Sequence, residues 1–300
     1  MQKFDLAIAY KWVYDKEFTE SIEEMFQQNG LTTYVIHKKH VKTATDSVRN
    51  GEFSFKAFLD RGSDEDSEYE EIANLIAKSG AYIINPYYKV ETAVNKTLMH
   101  KRLEENQINV PETILLPSLL SGNNFQIQQS DLNKLGIPFV VKPSFYSGGG
   151  EGVNVNCKSI NQIQIERNKN PDDDYLAQEI VIPKPNKQRR IWFRCFWLFG
   201  EVVPSWWNDK THIYGNISPI DFEKHNIGEL IERVKRIAEL VKLDYFSTEA
   251  TINKNDELVF IDYVNDQCDM RRQSSHKDGV PDWIVDKFIM NMMELIKRLH

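Results

Sequence analysis

The sequence predicts an α/β protein whose C-terminal part turns to α+β, and three observations carry that expectation. Through residue 85, short β-branched runs alternate with helical patterns, the βαβ rhythm of a parallel sheet. Near the middle, a buried run, Phe139-Val140-Val141, passes through Lys142 into a glycine cluster and out into a second β-branched stretch, Val153 and Val155. Towards the end, strand pairs joined by tight turns read as antiparallel hairpins.

Taken in order, Asp5–Tyr10 reads as a strand. Glu17–Asn29 reads as a helix with Ile22, Met25 and Phe26 on its apolar side, ending at Gly30, and Thr32–Ile36 as a second strand. Phe53–Leu59 is another apolar run, broken by Asp60-Arg61-Gly62. Arg61 follows that strand and precedes a glycine, where an open α/β sheet presents side chains to a ligand. Asp64–Glu71 reads as a solvated loop and first helical turn, since acids suit a helix N-terminus. A helix, Ile72–Lys78, and a strand, Ala81–Asn85, follow. Asn95–Asn106 is then a helix carrying Lys96 at its start.

The glycine cluster is the chemically suggestive stretch. Gly148, Gly149, Gly150 and Gly152 lie close together with Ser144 and Ser147 among them, so few Cβ atoms stop backbone N–H groups from closing over an anion. Lys142 beside them supplies a point charge. A plain hairpin with a glycine-rich turn fits the same residues. The stretch contains no G-x-x-x-x-G-K-[ST] and leads to a strand, not a helix, which argues against a Walker loop and a dinucleotide fingerprint.

Tyr175–Ile182 reads as a buried strand ending at Pro183. Ile191–Phe199 and Glu201–Val203 form a hairpin about Gly200 whose aromatic residues suit a core better than a base-stacking platform. Arg194 lies inside that apolar strand, and a buried guanidinium must be paired or face a ligand anion. Leu230–Val241 is an amphipathic helix, followed by strands Tyr245–Ile252 and Glu257–Val264. Glu249 in the first, with Asp262 and Asn265 at the end of the second, offers oxygen ligands on adjacent strands, as a hard cation such as Mg2+ requires. Trp283–Leu299 reads as a structural helix.

Composition narrows the functional classes. A net charge of −7 over 300 residues leaves no basic footprint for nucleic acid, and no apolar run reaches the roughly 20 residues of a membrane span. The N-terminus MQKFDLAIAY lacks a signal-peptide pattern, and Cys157, Cys195 and Cys268 are widely spaced, which suits free thiols in the cytoplasm.

Lys96 in NKTLMHKRLEENQINVPET, the segment FVVKPSFYSGGGEGV, YLAQEIV, RRIWFRCFWLFGEVV and the pair STEATI and ELVFIDYVND stand in the order seen in the ATP-grasp superfamily. The chain resembles its glutamate-ligase type, which includes ribosomal-protein glutamate ligases and glutathione synthetases. The matched segments span about Asn95 to Asp266, after a region similar to that family's substrate domain. The resemblance implies an N-terminal pre-ATP-grasp domain at 1–94, a lid subdomain with the glycine loop at 95–182, and a C-terminal subdomain with a metal site at 183–300.

By the same resemblance, Lys96 and Lys142 match the two lysines on ATP phosphates, and Ser147, Gly148, Gly149 and Gly150 the loop that closes over them. Gln178, Glu179, Ile180 and Val181 match the hinge that meets the adenine amino group. Arg194, with Lys142, matches the groups around the transferred phosphoryl, and Glu249, Asp262 and Asn265 the ligands of Mg2+, or of Mn2+ in its place. The family spaces the last acid and Asn by two, whereas here they differ by three and Tyr263 stands where the acid is expected. Either a bulge brings Asp262 round or Asn265 and Asp266 serve instead. Asp266–Gln273 replaces the prolines and glycines common after that Asn, and Arg271 within it is expected, with Arg61, at the substrate. The implied activity is ADP-forming ligation of a carboxylate to an amine through an acylphosphate, on an amino acid, peptide or similar small acid. A kinase on the same nucleotide site and a non-catalytic nucleotide binder are the alternatives, and a homodimer is left open.

Overall fold

In the computed structural model, which describes residues 1–122, 126–146, 152–186 and 189–299, the chain builds three sheets. The first holds β1 (Gln2–Tyr10), β2 (Thr33–Ile36), β3 (Phe53–Arg61) and β4 (Tyr82–Ile84) in the order β2-β1-β3-β4. All its pairings are parallel. In β1, Leu6 and Ile8 face α1 (Asp15–Gln28), and Ala7 and Ala9 face α2 (Val41–Arg49) and α3 (Glu70–Lys78). A parallel strand covered on both faces must be apolar throughout, which explains why β1 shows no clean alternation. The sequence reading passed over α2, because its buried Val41, Ala44 and Thr45 are spread among charged and polar residues.

Two helices, α4 (Tyr87–Val94) and α5 (Lys96–Glu105), lead into the second sheet. Asn95 caps α5, its Oδ1 accepting from the Leu98 N–H at 2.9 Å. The second sheet contains β5 (Thr113–Leu116), β6 (Phe139–Pro143), β7 (Asn154–Cys157) and β8 (Tyr175–Gln178), antiparallel in the order β5-β8-β6-β7, with α6 (Gln129–Leu135) and α7 (Ile160–Arg167). The run expected to be a strand as far as Ile182 leaves the sheet after Gln178. Its partner β5 begins at Thr113, and Pro111, two residues before it, has no N–H with which to extend the ladder.

The third sheet is antiparallel. β9 (Trp192–Leu198), β10 (Glu201–Trp207), β11 (Tyr214–Gly215), β12 (Tyr245–Ile252) and β13 (Leu258–Asn265) run in the order β11-β10-β9-β12-β13. A short helix, α8 (Pro219–Lys224), precedes α9 (Ile227–Val241), which covers one face, where Phe193, Cys195 and Ala250 meet Leu230, Val234 and Ile237. On the other face Phe196, Leu198 and Tyr245 pack with Phe288 and Met292 of α10 (Asp282–Arg298) and with Phe18 and Ile22 of α1. The aromatic strand is therefore core, and the first and third sheets share one apolar body. Among the described residues no helix is long and apolar enough to cross a membrane.

Candidate active site

Residues directly opposed in an antiparallel sheet point to the same face. Across the third sheet Ser205 on β10 opposes Arg194, Arg194 opposes Glu249, and Glu249 opposes Asp262, so these four side chains form one row. The next step along places Ser247 opposite Asn265. Two residues of β12 thus span three of β13, which is a β-bulge, and it settles the irregular spacing: Asp262 and Asn265 share a face because β13 carries one extra residue. Glu249 Oε1 accepts from Arg194 Nη1 at 3.2 Å and Glu249 Oε2 from Trp192 Nε1 at 3.0 Å. Arg194 also donates to Ser247 Oγ and lies over the Trp207 ring at 5.1 Å.

Burial and then the neighbouring Asp262 charge push the Glu249 carboxyl up, while Arg194 draws it down. Among the described residues no hydrogen bond reaches the Asp262 carboxylate or the Asn265 carboxamide. Two adjacent carboxylates and an amide oxygen, with only Glu249 already receiving protein donors, form a set of oxygen ligands that fits Mg2+. No group of three or more His, Cys, Asp or Glu side chains converges among the described residues.

Lys142 approaches this row from the second sheet. It is 7% exposed, its Nζ donates to the Ile261 carbonyl on β13 at 3.3 Å and stands 5.4 Å from the centre of the Tyr263 ring. Burial pushes it down to about 8, with Lys96 acting in the same direction and Asp262 and Glu249 opposing. The two lysines are stitched together through buried Ser144. Its carbonyl accepts from the Lys96 N–H, its Oγ accepts from the Thr97 N–H at 3.1 Å, and its hydroxyl donates to Asn95 Oδ1 at 2.8 Å. Ser147, Gly148, Gly149 and Gly150, expected over the phosphates, lie outside the described residues; Gly152 ends the loop at φ +72°.

At the other end of the cleft Gln178 is buried on β8, its Nε2 donating to Thr113 Oγ1 at 2.9 Å and Tyr263 Oη at 2.8 Å. Glu179 is tied to Glu112 through both backbone and side chain. Past it the chain runs free of the ladder, and among the described residues no backbone hydrogen bond reaches Ile180 or Val181. An adenine edge needs such donors and acceptors.

The two arginines expected at the substrate are each ion-paired within the protein. Arg61, 4% exposed, makes a bidentate pair with Asp15 at 2.9 Å and donates to the Cys268 carbonyl at 3.0 Å, joining β3 and α1 to the loop after β13. Arg271 is held by Asp269 and Asp278 and lies against both the Trp12 and Tyr14 rings. The sequence reading missed Trp192, Ser247, Tyr263 and His100 as parts of the site. Ser247 and Trp192 each stand two residues from a chosen residue on the same strand, a period-two signal that would have found them.

A scan of protein-family models finds no match, and neither does a search of curated proteins. Solved structures do match along nearly the whole chain. A RimK domain ATP-grasp protein from Sphaerobacter thermophilus superposes with a TM-score of 0.63 at 15% identity, covering 96% of this chain and 98% of its own. The D-alanine–D-alanine ligase of Bacillus anthracis, solved with ATP, gives 0.62 at 13% identity, with 99% of each chain covered. The macrocyclase MdnB of Microcystis aeruginosa gives 0.58 at 13% identity, covering 94% of this chain and 98% of its own. With three sheets in this order and structural neighbours matched from end to end, the chain has the ATP-grasp fold.

Proposed function

We propose that this protein is an ATP-dependent, ADP-forming carboxylate–amine ligase acting on an amino acid, peptide or similar small acid. The observation that carries the reading is the row Arg194, Glu249, Asp262, completed by Asn265 through the bulge and faced by Lys142. Its alternation of fixed cations and oxygen donors suits a group whose charge is spread over several oxygens during transfer. Structural neighbours that include a D-alanine–D-alanine ligase and a macrocyclase support ligation as the reaction class.

In this reading Gln178, Glu179, Ile180 and Val181 hold the adenine edge and Lys96 and Lys142 hold the phosphates. Glu249, Asp262 and Asn265 would hold Mg2+, which neutralises phosphate charge when bound. Arg194, kept in place by Glu249 and Ser247, faces the phosphoryl group. The terminal P–O bond of ATP breaks as the substrate carboxylate forms a new one, releasing ADP. The amine then attacks the acyl carbon, the C–N bond forms, phosphate departs and the nitrogen gives up a proton. Arg61 and Arg271 stand as the substrate-side groups of this reading, each also paired with carboxylates of the chain.

The test is a screen of amino acids and short peptides with ATP and Mg2+, recording ADP release and hydroxylamine capture together. A hydroxamate formed with the correct acid when its amine is withheld supports the ligase. An acceptor recovered as a stable phosphate ester overturns it in favour of a kinase, and nucleotide binding without any ADP release overturns it in favour of a sensor.

A further inference from the structure

Tyr263 occupies the position at which an acid was expected, and its side chain is 1% exposed. Its hydroxyl lies 2.8 Å from Gln178 Nε2 and 2.7 Å from His100 Nδ1. The direction of every bond in this chain is fixed from its far end. Thr113 gives its only hydroxyl proton to the Pro111 carbonyl at 2.7 Å, so towards Gln178 it can only accept. The group of Gln178 that meets Thr113 is therefore the amide nitrogen, and the same nitrogen gives its second proton to Tyr263.

In the arrangement that leaves no buried hydroxyl proton without an acceptor, Tyr263 donates its own proton to His100 Nδ1. The remaining imidazole proton sits on Nε2, 3.4 Å from the Glu104 carboxylate. Burial, helped by Lys142, lowers His100 to about 4, in keeping with a neutral ring. Both amide protons of Gln178 are thus engaged, and among the described residues no hydrogen bond reaches its Oε1. The ring of Tyr263 meanwhile presents its face to Lys142.

We infer that Tyr263 is a positioning residue that holds Gln178 with its carbonyl oxygen outward and seats Lys142 on its ring, so that the site selects a nucleotide base carrying an amino group on its exposed edge. The inference rests on the proposed ATP site and adds to it what sets base selection. A carboxamide free to turn would offer N–H or C=O equally and tell an amino from an oxo group poorly; one held by Thr113 and Tyr263 accepts only. Tyr263 acts through Gln178 and touches no reacting atom.

The experiment is equilibrium binding of ATP and of ITP, in which the amino group is replaced by an oxo group, to the full chain with Mg2+. Wild type is expected to prefer ATP by about 100-fold, the order of one well-placed polar contact against an unpaired one. Tyr263→Phe keeps the ring for Lys142 and removes the hydroxyl; Thr113→Val frees the amide from its other end. Each should cut the preference to below about tenfold, chiefly by weakening ATP, a change of ratio that general loosening of the fold does not produce. Tyr263→Leu should weaken both nucleotides through Lys142. Wild type that binds ATP and ITP equally, or both hydroxyl-deleted variants keeping the wild-type ratio, overturns this inference alone. Wild type that binds neither nucleotide overturns the ATP site and this inference with it.

Discussion

Glu249 faces Asp262 directly across β12 and β13, and each carboxylate meets the protein on different terms. Glu249 is held by Arg194 and Trp192, while the Asp262 carboxylate receives no hydrogen bond among the described residues. Removing charge from Asp262 should therefore cost the fold nothing and cost metal binding a great deal. Asp262→Asn is expected to melt close to wild type without Mg2+, since relieved repulsion with Glu249 is set against lost attraction to Lys142, and to lose both the Mg2+-dependent rise in Tm and turnover. Glu249→Gln should also abolish turnover. A fully active Asp262→Asn would move the metal role to Asp266.

Lys142→Ala should weaken ATP binding by about tenfold to a hundredfold, or about 1.5–3 kcal/mol for a lost charged contact. Calorimetric titration of both proteins with ATP and Mg2+ decides it. Equal affinities would remove Lys142 from the phosphate site.

The same lysine sets a pH dependence. Burial disfavours its charged form in the free protein and lowers it to about 8, while a bound phosphate favours that form. ATP affinity should therefore be full below pH about 8, fall as pH rises through that value, and be accompanied by proton uptake near it. Stability of the free protein runs the other way. Between about 8 and the ordinary lysine range the unfolded chain binds more protons at this site, so stability from this group rises with pH across that window. Affinity measured from about pH 7 to about pH 9.5 should show the fall in wild type and a flat profile in Lys142→Ala.

Gly152 should resist replacement. Its φ of +72° is unfavourable for a side chain, and a Cβ would stand 2.8 Å from the Tyr146 carbonyl oxygen. Gly152→Ala is expected to cost about 1–3 kcal/mol of local stability and to displace the end of the glycine stretch. A Michaelis constant for ATP that rises with little change in overall melting would check this.

Arg61 and Asp15 form a bidentate pair with both side chains almost wholly enclosed. Asp15→Ala leaves the guanidinium buried without its partner and should destabilise by about 3–5 kcal/mol, whereas replacing both residues by apolar ones of similar volume should restore much of the loss. Comparing the melting temperatures of single and double variants tests the pairing. A single variant that melts no lower than the double would mean that Arg61 finds another partner, the Cys268 carbonyl being nearest to hand.

The parallel sheet, the hairpins and the aromatic core strands were legible because their patterns are local and strongly apolar. α2, α6 and α7 were not, because their buried faces are narrow: α7 buries Ile163, Glu166 and Arg167, a set with little apolar signal. At the site, the irregular spacing of Asp262 and Asn265 was visible in the sequence, but the bulge behind it needed the pairing of Ser247 with Asn265. Arg61 and Arg271 were found as unusual residues and not as paired ones. Asp15 precedes Arg61 by 46 positions and no periodicity links them. Tyr263 was noticed only as a departure, since its partners come from α5 and β8.

The apolar interior is divided unequally. The cluster of Leu116, Leu132, Phe139, Val141, Ile163 and Tyr175 belongs to the second sheet alone, whereas the first and third sheets are fused through Phe18, Ile22, Tyr245 and Phe288. Cooperative opening follows such divisions, and the smaller body opens at lower free energy. Amide protons of β6 and β7 should then exchange with deuterium ahead of those in β1 and β12, as one block. A nucleotide gripped by Lys142 from one block and by the row on β9, β12 and β13 from the other would join the two, turning a protein with two exchange rates into one with a single slow rate.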